Sequence, residues 1–223
     1  RSTSSAASDV YKRQVSEDQA NIKHGAAIEE AKWQADRVIE IANADGIPPT
    51  GAVSLLREDF QNKGRRLFAS HCSSCHRYNG HDGRGFPVDD TPSAADLAGF
   101  ASVEWITELL DYDHYVSHKY FGGTKFKDGT MARKVLAKYT EEEKKLLPDI
   151  AILLADGANL PYEKKLDEDR REELLSLYYN DDLKFEDGRS CIECHDIDSE
   201  DEGSAPDLLS LIHISEPTRL STI

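Results

Sequence analysis

Apolar positions recur at helical spacing in several separate stretches of this chain. From about Glu17 to Ala44, Ile28, Ala31, Ala35, Val38 and Ala42 form a narrow apolar stripe. Glu29, Glu30, Lys32, Gln34, Asp36 and Arg37 cover the other sides. The pattern predicts one amphipathic helix, ended by Gly46 and the Pro48-Pro49 pair, and alone it reads as a linker. A second helix is expected from near Glu58, with Gly64, Leu67 and Phe68 leading to Cys72. Phe68 and Cys72 are four apart, hence on one face, and Gly64 would let another helix approach closely. A Gly-rich loop follows from Gly80 to Gly85, then a short helix over Ala101 to Leu110 with Trp105, Ile106, Leu109 and Leu110 inward.

Tyr120 to Met131 is turn-rich, with Gly122, Gly123 and Gly129. Thr140 and Glu143 form a capping-box pattern that opens a helix to about Ala155, with Leu146, Leu147, Ile150, Leu153 and Leu154 apolar. Pro148 inside it predicts a kink or break, because proline lacks the amide the helix needs. Gly157 and Pro161 close that unit, and Lys165 to Tyr179 reads as a further charged helix.

Composition narrows the class. The chain has 223 residues, 31% charged and 39% hydrophobic, with a formal net charge of -15. This suits an acidic globular protein with a modest core. It argues against nucleic acid, whose phosphates would repel it, and favours a basic partner. No apolar run has the length of a membrane span, and no signal peptide is visible.

The chemistry lies in two short stretches, Cys72-Ser73-Ser74-Cys75-His76 and Cys191-Ile192-Glu193-Cys194-His195. Together they use all four cysteines of the chain. C-x-x-C-H is the attachment signature of a c-type haem: two thiols form thioethers to the porphyrin, and the adjacent His ligates the iron. Zinc, disulfides and a redox dithiol compete for the same cysteines. A zinc ribbon wants its pairs roughly 15–20 residues apart, and here they are far more widely separated. A dithiol motif needs no following His, and no βαβ pattern surrounds either site.

Covalent attachment places the cysteines outside the cytoplasm. Cytochrome c folds commonly set a proline carbonyl against the far nitrogen of the haem-ligating His, and a resemblance to them would make Pro92 the candidate and Pro87 the rival. Met131, the only methionine, stands in the polar glycine-rich loop and is the candidate distal ligand of the first haem. His81, His114 and His118 are its rivals, and His71 is too close to Cys72. Up to Leu208 the chain offers no distal candidate for the second haem, whose ligand is expected to be encoded beyond that residue. Ala205-Pro206-Asp207-Leu208 echoes the stretch ending Asp96-Leu97, a weak internal repeat.

Both ends carry a further pattern. Ser4 to Gln14 is what a transposase-type sequencing adapter encodes, and Leu209 to Arg219 is what the opposite-end adapter encodes. Residues 1–14 and 209–223 are therefore expected to be adapter-derived rather than native. The biological insert would be a fragment, and the second unit would be cut where it should continue.

The run Leu67 to Arg77 resembles the cytochrome c region fused behind cytochrome b in some bacterial cytochrome bc complexes. So do Asp96-Leu97-Ala98-Gly99-Phe100, the run Tyr120 to Gly129, and Gly46-Ile47-Pro48-Pro49 followed by Leu55-Leu56-Arg57. The resemblance implies an all-α chain: a linker helix in 15–57, a class I cytochrome c-like domain over 58–160, and a truncated second one over 161–208. It implies two c-type haems, one held by Cys72, Cys75, His76 and Met131, the other by Cys191, Cys194 and His195. It also implies a membrane region upstream, a cytochrome b/Rieske complex as partner and a periplasmic location. The expected activity is single-electron relay. A free periplasmic carrier, a dihaem peroxidase with an open iron, and a haem-based sensor or structural module are the alternatives.

Overall fold

The computed structural model describes residues 3–88, 90–179, 191–195, 197, 205 and 208. The described residues are helices and turns without a strand, beyond isolated bridges from Tyr78 to His81 and to Asp82. The chain divides into two compact units, Arg1–Ala98 and Gly99–Ile223. No helix among the described residues is long and apolar enough to cross a membrane.

In the first unit, α1 (Thr3–Asp45) starts well before the expected Glu17. No glycine or proline lies between Thr3 and Glu17 to stop it. It ends as expected at Gly46, whose φ of 79° only glycine adopts without strain, with the Gly46 amide donating to Ala42 O at 2.9 Å. A turn through Pro48 and Gly51 leads to α2 (Ala52–Glu58). Asp59 then caps α3 (Phe60–Leu67), its Oδ2 accepting from the Asn62 amide at 2.8 Å.

The apolar stripe expected on α1 is only partly the face it buries. Ile28, Ala31 and Ala35 are exposed. Val38 and Ala42 are half-buried, as expected, but the covered positions also include Glu30, Trp33, Gln34, Arg37 and Ile41, and two of these have charged partners: Arg37 pairs with Asp59 at 2.8 Å and Glu30 with Arg65 at 2.7 Å. Glycine at 83 is obligatory. Its φ is 86°, and a Cβ there would lie 2.8 Å from Phe68 Cδ1.

In the second unit, α4 (Val103–Leu109) begins two residues later than expected. Gly99 and Ala101 both have positive φ, and Ser102 caps the helix through the Trp105 amide. Trp105 and Ile106 are buried, as expected. A short α5 (Tyr112–Tyr115) is capped by Asp111.

The capping box is present. The Glu143 amide donates to Thr140 Oγ1 at 3.3 Å, and the Thr140 amide donates to Glu143 Oε2 at 2.6 Å. The break at Pro148 is also present: α6 (Glu141–Lys144) stops and α7 (Leu147–Ala158) restarts with the proline in its first turn, where the missing amide costs nothing. Gly157 lies inside α7, and the terminator is Asn159, left-handed at φ 54°. α7 packs against α4 and against α8 (Glu168–Tyr179). Arg170–Asp149 at 2.7 Å and Arg171–Asp156 at 2.9 Å tie α8 to α7. Phe185, Gly188 and the acidic run Asp196, Asp198, Glu200, Asp201 and Glu202 lie outside the described residues.

Candidate functional site

The first C-x-x-C-H grows directly out of α3. The helix widens over Phe68–Cys72, where the Ser73 amide reaches back five residues to Phe68 O at 3.0 Å. The chain then turns tightly on one acceptor. Cys72 O receives the Cys75 amide at 3.1 Å and the His76 amide at 2.8 Å, which gathers both thiols and the imidazole on a single turn. Cys72 is half-buried, Cys75 is exposed, and both are free thiols. The Ser93 and Ser74 hydroxyls hold the Cys75 thiol below its ordinary value.

His76 is oriented from behind. Its Nδ1 lies 2.7 Å from Ala95 O. A carbonyl can only accept, so Nδ1 carries the proton and Nε2 keeps its lone pair for a metal. This corrects the expectation that Pro92 supplies the carbonyl. The amides of Ser93 and Ala94 both donate to Cys75 O at 3.2 Å, so the segment after Pro92 first wraps over that carbonyl and delivers the one at Ala95.

Asp96 then locks the segment: it is buried and accepts from the amides of Asn79 at 2.8 Å, Gly80 at 2.6 Å and Ala98 at 2.8 Å. Arg77, also buried, donates to Ser73 O at 2.6 Å, His76 O at 3.0 Å and Asp90 O. Sequence reasoning missed Ala95, Asp96 and Arg77. The only signal for them was the repeated Asp-Leu pair.

The second motif repeats the turn. Cys191 O receives the Cys194 amide at 3.2 Å and the His195 amide at 2.9 Å. The Ala205 amide donates to Cys194 O at 3.0 Å, as the Ala94 amide does to Cys75 O. Tyr178, fully buried on α8, donates its hydroxyl to His195 O at 3.1 Å. Cys191 packs against a core of Tyr115, Ala132, Leu136, Tyr139 and Leu147, and burial pushes its thiol up to about 11.

Met131 is partly buried against that same core, together with Phe121 and Val135. It opens a widened turn, Met131–Val135, after the short Lys125–Asp128 turn. His76 belongs to the first unit and Met131 to the second. The Tyr120-Phe121-Gly122-Gly123 run has a packing reason. Tyr120 is buried with its hydroxyl donating to Trp105 O at 3.1 Å and Glu108 Oε2 at 2.8 Å, and Phe121 meets Tyr115 at 4.9 Å between ring centroids. A Cβ on Gly122 would run into the Val116 carbonyl. Lys119 and Tyr120 hold the Glu108 carboxyl below the usual range.

The rival histidines are placed for other tasks. His81 Nδ1 accepts from the amides of Gly83 at 3.0 Å and Gly85 at 3.2 Å, so its outer nitrogen carries the proton. His114 is exposed and pairs with Asp111 at 2.8 Å. His118 and His71 are exposed. Among the described residues, no cluster of three or more His, Cys, Asp and Glu groups is arranged to hold a bare metal ion.

Residues 61–147 match the cytochrome c family model. This stretch includes Cys72, Cys75, His76 and Met131, and ends before the second C-x-x-C-H. Comparison with curated proteins and with solved structures returned no match. Residues 61–147 are thus similar to a cytochrome c domain, a class that binds haem covalently and transfers electrons, and the described residues form helices and turns. The residues fit that group, with two unpaired thiols on one turn and an imidazole whose outer nitrogen is left to coordinate.

Proposed function

We propose that this chain is a dihaem c-type cytochrome that relays single electrons. The observation that carries this reading is the hydrogen-bonded turn at Cys72–His76 and its recurrence at Cys191–His195, each with an alanine amide on the carbonyl of the second cysteine. Each bound haem would supply an iron that cycles between ferrous and ferric. Cys72 and Cys75 would anchor the first porphyrin, and Cys191 and Cys194 the second. His76 and His195 would coordinate from Nε2, and Met131 would be the distal ligand of the first iron. The Ala95 carbonyl supports the role of His76 by fixing its tautomer and raising its basicity.

The same reading puts the protein on the periplasmic face of a membrane, as part of a cytochrome b/Rieske-type respiratory complex, with redox proteins as partners. It takes residues 1–14 and 209–223 as translated adapter, and it assigns no distal ligand to the second haem within 161–208. Its support is the wording of Leu67 to Arg77 and of the Tyr120 to Gly129 loop.

Haem quantification by the pyridine haemochrome, on protein made with a c-type maturation system, tests the reading. Two covalent haems per chain are expected. One haem, lost on replacing Cys72 and Cys75 but not Cys191 and Cys194, would leave a monohaem cytochrome and sink the dihaem proposal.

A further inference from the structure

Glu30 is an acidic residue in the middle of a long helix, yet its side chain is only 5% exposed. Burying a carboxylate is costly unless charges meet it. Here two do, and they come from different segments. Arg65 of α3 approaches Oε2 at 2.7 Å, and Arg84, in the loop after the first C-x-x-C-H, approaches Oε1 at 3.2 Å. Gln34, one turn further along α1, donates to Oε1 at 2.8 Å. Arg65 also lies 3.8 Å over the Trp33 ring and donates from Nε to Gly83 O at 3.0 Å. A second tie lies two turns along the same face of α1, where Arg37 pairs with Asp59, the cap of α3, at 2.8 Å.

The two arginines flank the haem motif in sequence. Arg65 is on the helix that runs into Cys72, and Arg84 is on the loop that leaves His76. That loop holds its own shape through Asp82, whose Oδ1 accepts from the amides of Arg84 at 2.8 Å and Phe86 at 2.9 Å. It leans on Phe68 through Gly83. One carboxylate therefore joins α1 to both approaches of the motif. The Arg65 contact is a charge pair without hydrogen-bond geometry, which leaves Oε2 with no hydrogen-bond partner, so Glu30 is held by the two charges and by the bonds from Gln34 and Arg84 at Oε1.

We propose that Glu30 is a positioning residue of the first haem site, and that through Arg65 and Arg84 it makes α1 and residues 60–86 a single rigid piece. α1 is then a strut rather than a flexible tether. Whatever the helix is anchored to carries the first haem at a fixed distance and orientation. The inference rests on the proposed assignment of the first haem to Cys72, Cys75 and His76.

Amide hydrogen exchange on the holoprotein tests it, read by mass spectrometry over residues 28–38 and 80–86. In Glu30→Gln, both segments are expected to exchange at least about tenfold faster, because a broken buried pair releases both partners. Glu30→Asp, which keeps the charge, restores most of the protection. The reduction potential of the first haem falls in Glu30→Gln as its loop admits water, while that of the second stays. Faster exchange in 28–38 with 80–86 unchanged would overturn the proposal, as would rapid exchange of 28–38 in the unaltered protein. Should Glu30→Gln fail to fold, Arg84→Gln removes only the partner on the loop, and protection in 28–38 must still drop. Haem content measured on the same samples separates the outcomes: a wrong haem count speaks against the function, and the exchange result speaks only to the strut.

Discussion

The His76 imidazole donates its Nδ1 proton to the carbonyl of Ala95 at 2.7 Å. That bond sets the tautomer, and the carbonyl is in turn held by its neighbour. The Asp96 carboxylate is 5% exposed as a residue and receives three backbone amides. Asp96→Ala would leave those amides without their acceptor and free the Ala95 carbonyl to move. The expected cost is about 3 kcal/mol in denaturant unfolding, since each buried donor left unpaired costs roughly 1–3 kcal/mol and water offsets part of it. Asp96→Asn retains an acceptor and loses less. A haem potential that rises in Asp96→Ala as stability falls would tie the effect to His76, because an imidazole without its carbonyl partner is a weaker donor to ferric iron. Equal stability in the variant and the parent would show that the carboxylate does not hold the segment.

Gly83 meets Phe68 at a distance no Cβ tolerates, and its backbone is left-handed. Gly83→Ala is expected to destabilise the protein by about 1–3 kcal/mol, from strain at positive φ and the collision with the ring. Phe68→Leu should recover the collision part and leave the strain. A double-mutant cycle by urea unfolding separates the two, and an additive result would exclude contact between the residues.

The turn that gathers Cys72, Cys75 and His76 was legible in the sequence because the C-x-x-C-H spacing names its own side chains. The Thr140–Glu143 box and the break at Pro148 follow from local rules and occur as expected. The partner of His76 was not legible, because it is a main-chain oxygen and the alanine side chain says nothing about it. The buried face of α1 was only partly legible, at Val38 and Ala42, for a related reason. Glu30 finds its charges 35 and 54 positions away in sequence, at Arg65 and Arg84, where helical periodicity carries no information. A hydrophobic stripe was visible, and a paired polar one outcompeted part of it.

Asp59 makes part of the stability acid-sensitive. Its hydrogen bonds from Arg37, and then from the Asn62 amide, hold its carboxyl below the ordinary value of 3.8. A carboxylate depressed in the folded state contributes fully above the unfolded value and loses its contribution as pH falls through the lower folded value. The stability of the first unit should therefore be steady above about pH 4 on this account and decline below it. Asp59→Asn removes the charge that pairs with Arg37 while keeping an oxygen that can cap α3. It is expected to cost about 1–3 kcal/mol at neutral pH and to flatten that part of the acid profile. Parallel urea titrations between neutral pH and pH 3 check this. An unchanged acid slope in the variant would assign the sensitivity elsewhere.

Met131 gives the sharpest test of the ligand assignment. It is the only methionine, and it opens a turn beside Ala132 and Leu136, both fully packed. Replacement with leucine keeps most of the volume, so packing against the core should survive with a loss under about 1.5 kcal/mol. The iron chemistry should not survive. Thioether sulfur favours ferrous iron, so its loss lowers the potential of the first haem and removes the sulfur-to-iron absorption band of the ferric protein. Met131→Leu is expected to leave far-UV circular dichroism and haem content unchanged while doing both. A band that persists in the variant would mean that no methionine ligates either iron, and a nitrogen ligand such as His118 would then have to be sought by magnetic resonance of the ferric state.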